Sequence, residues 1–141
     1  MTLKFFIFSI FVCLALNAQH KTKQKTILTK NIALIDSGKI VYETYCLPCH
    51  QANGMGVPKM NPPLVKTKWV LGDKTILINI LLKGLNDPIE IDDEEYFNPM
   101  PAHDFLSNGQ IAAVLSYVRN NFGNKAESIT VQEVKDVRNK K

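Results

Sequence analysis

The stretch Cys46-Leu47-Pro48-Cys49-His50 decides the reading of this chain. Two thiols three positions apart, with an imidazole beside the second, admit few chemistries. A zinc site needs a second pair of ligands, and the remaining cysteine, Cys13, falls in a segment expected to be removed. A thiol–disulfide centre normally opens a helix, whose dipole lowers the thiol pKa; here the pair closes a helical pattern. A structural disulfide across three residues leaves His50 unexplained. Two thiols at this spacing at a helix end can each form a thioether to one of the two vinyl groups of a single haem, with the following histidine held under the iron. The expectation is one covalent haem c, attached through Cys46 and Cys49 and ligated by His50.

Upstream of the motif, residues 32–50 read as a helix starting near Asp36 or Ser37, either a good N-cap, with Gly38, Val41, Tyr42 and Tyr45 on one face. Residues 19–33 form a polar, Lys-rich leader. Before it, Lys4 precedes Phe5–Leu16, twelve apolar or small residues, and then Asn17-Ala18. This is the layout of a secretory signal cleaved after Ala18. Twelve residues fall short of the roughly 20 that span a bilayer, and Val12 does not suit a lipid-attachment site at Cys13. A retained anchor is the alternative. The mature chain would carry 16 basic and 13 acidic side chains, net +3.

Downstream, residues 51–72 hold Gly54, Gly56, Pro58, Pro62 and Pro63 and read as irregular. Asp73 can cap a helix over about 74–85, apolar nearly all round and so expected to be buried on more than one side. Residues 89–96 suggest a small hairpin turning at Asp92-Asp93. Ser107 and Gln110 form a capping-box pattern for a helix over about 108–122, stopped at Gly123. Thr130 and Glu133 repeat the pattern for a short helix to about Arg138. The expected class is all-α: three or four short helices with long loops, too little regular structure to fill a core without an added group. Residues 34–123 are expected to form the domain and 124–141 a C-terminal extension. Six acids (Asp87, Glu90, Asp92, Asp93, Glu94, Glu95) fall within nine residues without a base. They read either as a solvated loop or as a patch that orients a partner. No basic stripe with interleaved aromatics points to nucleic acid.

Over residues 36–123 the chain resembles the class I monohaem c-type cytochromes of bacterial type. The resemblance rests on CxxCH, on Gly38 and Tyr42 eight and four residues before Cys46, on Val114 and Tyr117 in the last helix, and on Asn98-Pro99-Met100-Pro101-Ala102. It implies the cytochrome c fold, with Gly38 and Tyr42 packed against Val114 and Tyr117. It implies Met100 as the second axial ligand, with His103 as a competitor and His20 without a role. Met55 is too close to His50 to reach the other haem face, and Met60 sits in the proline-rich loop. The resemblance further implies a proline carbonyl that accepts the His50 Nδ1–H, Pro62 or else Pro63, and makes Trp69 a candidate donor to a haem propionate. A core-packing Trp69 is the alternative. The family commonly has Asn-Gly at the hairpin tip, where this chain has Asp92-Asp93, and Gly where Asn98 stands; Asn tolerates the positive φ expected there.

Iron held by His and Met on both faces has no open position, which points to one-electron transfer rather than catalysis. The expected function is a periplasmic electron carrier, not an enzyme, a monomer or weak complex without a membrane span in mature form. Its partners would be redox proteins of the cell envelope. The alternative is a haem-bearing subunit or docking module of an envelope dehydrogenase or terminal oxidase.

Overall fold

The computed structural model describes residues 34–140, so the expected signal and leader lie outside the described residues. Helix α1 covers 34–45 and runs into α2 (Leu47–His50). Then follow α3 (Lys68–Leu71), α4 (Lys74–Lys83), strands β1 (Ile89–Ile91) and β2 (Glu94–Tyr96), α5 (Asn108–Asn120) and α6 (Val131–Asn139). From Leu34 onward the chain is one compact unit. Its core joins α1, α4, α5 and α6 through Tyr42, Ile78, Ile111, Val114, Ile129 and Val134, all almost fully buried.

Capping signals place most of these helices. Asp73 accepts from the amides of Thr75 and Ile76 at 2.6 and 3.0 Å. Both capping boxes close, Ser107 with Gln110 and Thr130 with Glu133. At the first helix the cap signal misleads. Asp36 and Ser37 lie inside α1, and the Ser37 hydroxyl donates to the Leu34 carbonyl at 2.9 Å; a serine can satisfy itself within a helix as well as cap one. Within 51–72, Thr67 caps the single turn α3 by accepting from the Val70 amide, a helix the irregular reading did not foresee. α4 buries Leu77, Ile78, Leu81 and Leu82 but leaves Ile76 half exposed.

The hairpin turns where expected, in the register Ile89↔Tyr96, Glu90↔Glu95, Ile91↔Glu94. Asp92 and Asp93 both take positive φ, 52° and 63°, the pattern of a two-residue type I′ turn. Asn98 does not take positive φ. Its side-chain amide donates instead to the Asn61 side-chain oxygen at 3.2 Å, tying two loops together.

α1 crosses α5 at Gly38. A Cβ there would strike the Ala113 carbonyl oxygen and lie 2.8 Å from the Tyr117 Cβ. The crossing partner is therefore Ala113 with Tyr117 rather than Val114. The Tyr42 ring lies against those of Tyr117 and Phe122, with centroids 5.4 and 5.2 Å away. Residues 124–139 also join the core: Ile129, Val134 and Val137 are buried, and the Ser116 hydroxyl, inside α5, bonds both the carbonyl and the amide of Ile129.

Candidate functional site

The CxxCH motif sits where α1 gives way to α2. The Cys46 amide still donates back to the Tyr42 carbonyl. Pro48, which has no N–H to give, stands in the first turn of α2, where a helix does not need one. The His50 amide donates to the Cys46 carbonyl at 2.9 Å, closing the motif into a turn. Gln51 then takes φ 64° and ends the helix, and the buried Tyr42 hydroxyl donates to the Gln51 carbonyl at 2.6 Å. Burial, with the nearby Cys46 and Tyr117, pushes the Tyr42 hydroxyl well above its ordinary range. Neither cysteine of the motif forms a disulfide. Burial, with Cys49 adding to it, pushes the Cys46 thiol up to about 11. That is the reverse of the activated thiol a dithiol redox centre needs.

The His50 ring is buried, and its Nδ1 lies 2.9 Å from the Pro62 carbonyl oxygen. A carbonyl only accepts, so Nδ1 carries the proton and Nε2 keeps its lone pair. Burial lowers the His50 pKa, opposed by the Pro62 bond and assisted by His103. The ring is thus held neutral, the form that binds a metal.

The loop carrying Pro62 is pinned at both ends. Val57 and Asn61 exchange amide-to-carbonyl bonds of 2.8 and 2.9 Å, and the Leu64 amide donates to the Gly54 carbonyl at 2.7 Å. Met100 is fixed by its backbone to the segment after α4. Its amide donates to the Leu85 carbonyl at 2.8 Å and its carbonyl accepts from the Leu85 amide at 2.9 Å. Gly84 makes this approach possible: at φ 73°, its Cβ would strike the Met100 carbonyl oxygen.

Cys46, Cys49, His50, Pro62, Trp69 and Met100 all line one cleft, which is partly open to solvent. Its other walls are mostly apolar and come from α4, the hairpin and α5, including Leu81, Ile91 and Val114. Trp69, on α3, has its indole Nε1 buried with no hydrogen-bond partner, the one such side-chain atom among the described residues. A buried unpaired donor costs on the order of 1–3 kcal/mol, which a ligand oxygen beside it would remove. A neutral imidazole nitrogen, a thioether, two thiols, apolar walls and one orphaned N–H suit a large flat apolar group with a polar edge. Among the described residues no three His, Cys, Asp or Glu side chains converge as a metal site.

The family model for cytochrome c matches residues 35–122. The chain belongs to the cytochrome c family. It is similar to cytochrome c-552 of Thermus thermophilus, 34% identical over 119 residues, covering 78% of this chain and 79% of that protein. Two further relatives are far longer. The cytochrome c subunit of a quinone alcohol dehydrogenase from Gluconacetobacter polyoxogenes is 32% identical over 72% of this chain and 22% of its own length. A Cbb3-type cytochrome c oxidase subunit, CcoP, from Rhodobacter capsulatus is 33% identical over 67% of this chain and 32% of its own length. As a cytochrome c this is an electron-transfer protein rather than an enzyme, and its cofactor is haem c.

The structure brings Cys46, Cys49, His50, Pro62, Trp69 and Met100 to one cleft and leaves two of the other candidate residues outside it. Met55 and Met60 are half exposed and outside the cleft. His103 does line it, with Nδ1 2.9 Å from the Pro101 carbonyl oxygen. Sequence reasoning missed the residues that hold the walls. Leu85 anchors Met100, and nothing in its hydrophobic setting singles it out. Arg119 is buried and donates to the carbonyls of Val70, Gly72 and Glu127 at 2.6, 3.1 and 2.8 Å. It thereby closes the C-terminal end of α3, the turn that carries Trp69. Arg119 is the only charged residue of α5, and that was the available signal.

Proposed function

We propose that the protein is a periplasmic one-electron carrier with a single haem c. The observation that carries this reading is the convergence, in one cleft, of a His50 imidazole whose tautomer is set by Pro62 with a Met100 pinned from a separate segment. Bound there, haem c supplies an iron that exchanges one electron. The Cys46 and Cys49 thiols would hold it through thioether links to its vinyl groups. His50 Nε2 and the Met100 sulfur would ligate its iron, which would leave no position for substrate. Pro62 keeps His50 basic and fixed in orientation. Trp69 Nε1 would donate to a propionate oxygen. Export through a leader cleaved after Ala18 suits a covalently held cofactor, which cannot be lost outside the cytoplasm. Among the described residues no helix is long and apolar enough to cross a membrane.

A second reading, a haem-bearing subunit of an envelope dehydrogenase or oxidase, is favoured by the two longer relatives. It also draws support from an exposed aromatic pair next to the motif, Tyr45 and Phe105, whose rings lie 5.4 Å apart.

The reading is tested on the purified holoprotein. Reduction should give a haem-c alpha band, and the haem should stay with the protein through acid–acetone extraction; loss of the haem there ends the covalent reading. Met100→Ala should abolish the weak methionine-to-iron band at the red end of the ferric spectrum, and an unchanged spectrum moves the ligand elsewhere. Co-purification from native membranes separates subunit from carrier.

A further inference from the structure

The match to the family ends at residue 122, yet the next residues hold the wall of the cleft that carries Pro62. Asn124 is 3% exposed, and its side chain is fully engaged. Its oxygen accepts from the Lys66 amide at 2.7 Å; its nitrogen donates to the Leu64 carbonyl at 2.9 Å and to the Val118 carbonyl at 2.8 Å. One amide thus pairs with the two backbone groups that flank Val65, as a neighbouring strand would, and fastens them to the end of α5.

Asn124 is itself set in place. Its own amide donates to the Asn121 carbonyl at 2.8 Å, across a turn in which Phe122 and Gly123 take positive φ of 54° and 77°. Only Pro63 separates the pinned Leu64 from Pro62, and Pro62-Pro63 is a stiff dipeptide with both φ angles locked. A shift at Leu64 therefore passes to the Pro62 carbonyl instead of being absorbed between them. That carbonyl receives the His50 Nδ1–H at 2.9 Å.

We infer that Asn124 is a positioning residue for the axial imidazole: by bridging Leu64 and Lys66 to α5 it holds the Pro62 carbonyl on His50 Nδ1. The inference rests on the reading of His50 as haem ligand. It goes beyond the family match, since the residue lies outside the matched segment. The competing arrangement is that the Leu64-to-Gly54 bond alone fixes the loop.

The test uses the full-length holoprotein and follows exchange of the His50 Nδ1 proton with deuterated water by NMR. Asn124→Ala should speed this exchange about tenfold or more, as expected when ordinary hydrogen bonds that hold a segment shut are lost. Asn124→Asp keeps the acceptor for Lys66 but loses both donors, so it should act in the same direction should the alanine variant not fold. Val134→Ala, in the core at α6 and away from the loop, serves as the control for lowered stability. Faster exchange in the Asn124 variants and not in Val134→Ala supports the positioning role. Unchanged exchange in the Asn124 variants, or an equal rise in all three, overturns it. Failure of the ligand assignment itself would show earlier, as a wild-type spectrum without His/Met features.

Discussion

Replacing Gly38 with alanine tests whether the α1–α5 crossing sets the geometry of the haem shell. In an exposed helix interior this change stabilises by about 0.5–1 kcal/mol, because alanine loses less backbone entropy. At Gly38 the new methyl would meet the Ala113 carbonyl oxygen and sit 2.8 Å from the Tyr117 Cβ. Neither can rotate away, since one is backbone and the other the root of a buried side chain. Overpacking of this kind costs typically 1–3 kcal/mol, and a backbone obstacle belongs at the upper end. The net expectation is a loss of roughly 1–2 kcal/mol, or about 5–15 °C in melting temperature for a domain near this size. Gly109 supplies the contrast. It is exposed near the start of α5, and its Cβ would meet only the Ser107 hydroxyl oxygen at 3.9 Å. Gly109→Ala should raise stability by roughly 0.5 kcal/mol. Urea unfolding of both holoproteins, followed by circular dichroism, reads the two signs. If the two variants move the midpoint the same way, the crossing does not require a glycine and the packing argument is wrong.

Other outcomes follow from single contacts. Arg119→Leu removes the donor from the carbonyls of Val70, Gly72 and Glu127; a loss on the order of 3 kcal/mol is expected, and a midpoint within error of wild type would contradict it. Glu90 and Glu95 stand directly opposite across the hairpin, so Glu95→Lys should stabilise by about 0.5 kcal/mol at low salt and less at high salt; a gain that does not fall with salt points to another cause. Burial raises the Glu133 pKa, but its bonds with Thr130 and Lys74 outweigh that, so the net shift is downward. A depressed folded pKa gives stability that is present above the unfolded value and lost as pH falls through the folded one. Glu133→Gln should therefore flatten the acid limb of the stability–pH profile; an unchanged slope between pH 5 and 3, about the range in which an ordinary carboxylate titrates, removes Glu133 from that role.

Much of the site was legible from local chemistry. CxxCH is a covalent constraint on neighbours in the chain, and capping boxes are contacts between residues three apart, so both can be read without a fold. The Asp92-Asp93 turn belongs to the same kind, because two residues fix its conformation. The failures share a cause as well. Ser37 looks like a cap because serine bonds its local backbone in more than one setting. α3 hides among prolines because its cap, Thr67, and its closing residue, Arg119, are 52 positions apart in the chain.

The sequence by itself pointed to the haem-attachment motif, to the helices other than α3 and to the residues able to ligate iron. The tertiary structure decided what holds those residues still. That Pro62 and not Pro63 meets His50, that Met100 is clamped by Leu85, and that Asn124 ties Leu64 and Lys66 to Val118 are all contacts between distant segments. They depend on how backbone groups meet once the chain is packed. A backbone amide or carbonyl is the same in every residue, so the sequence carries no local mark of which ones will pair.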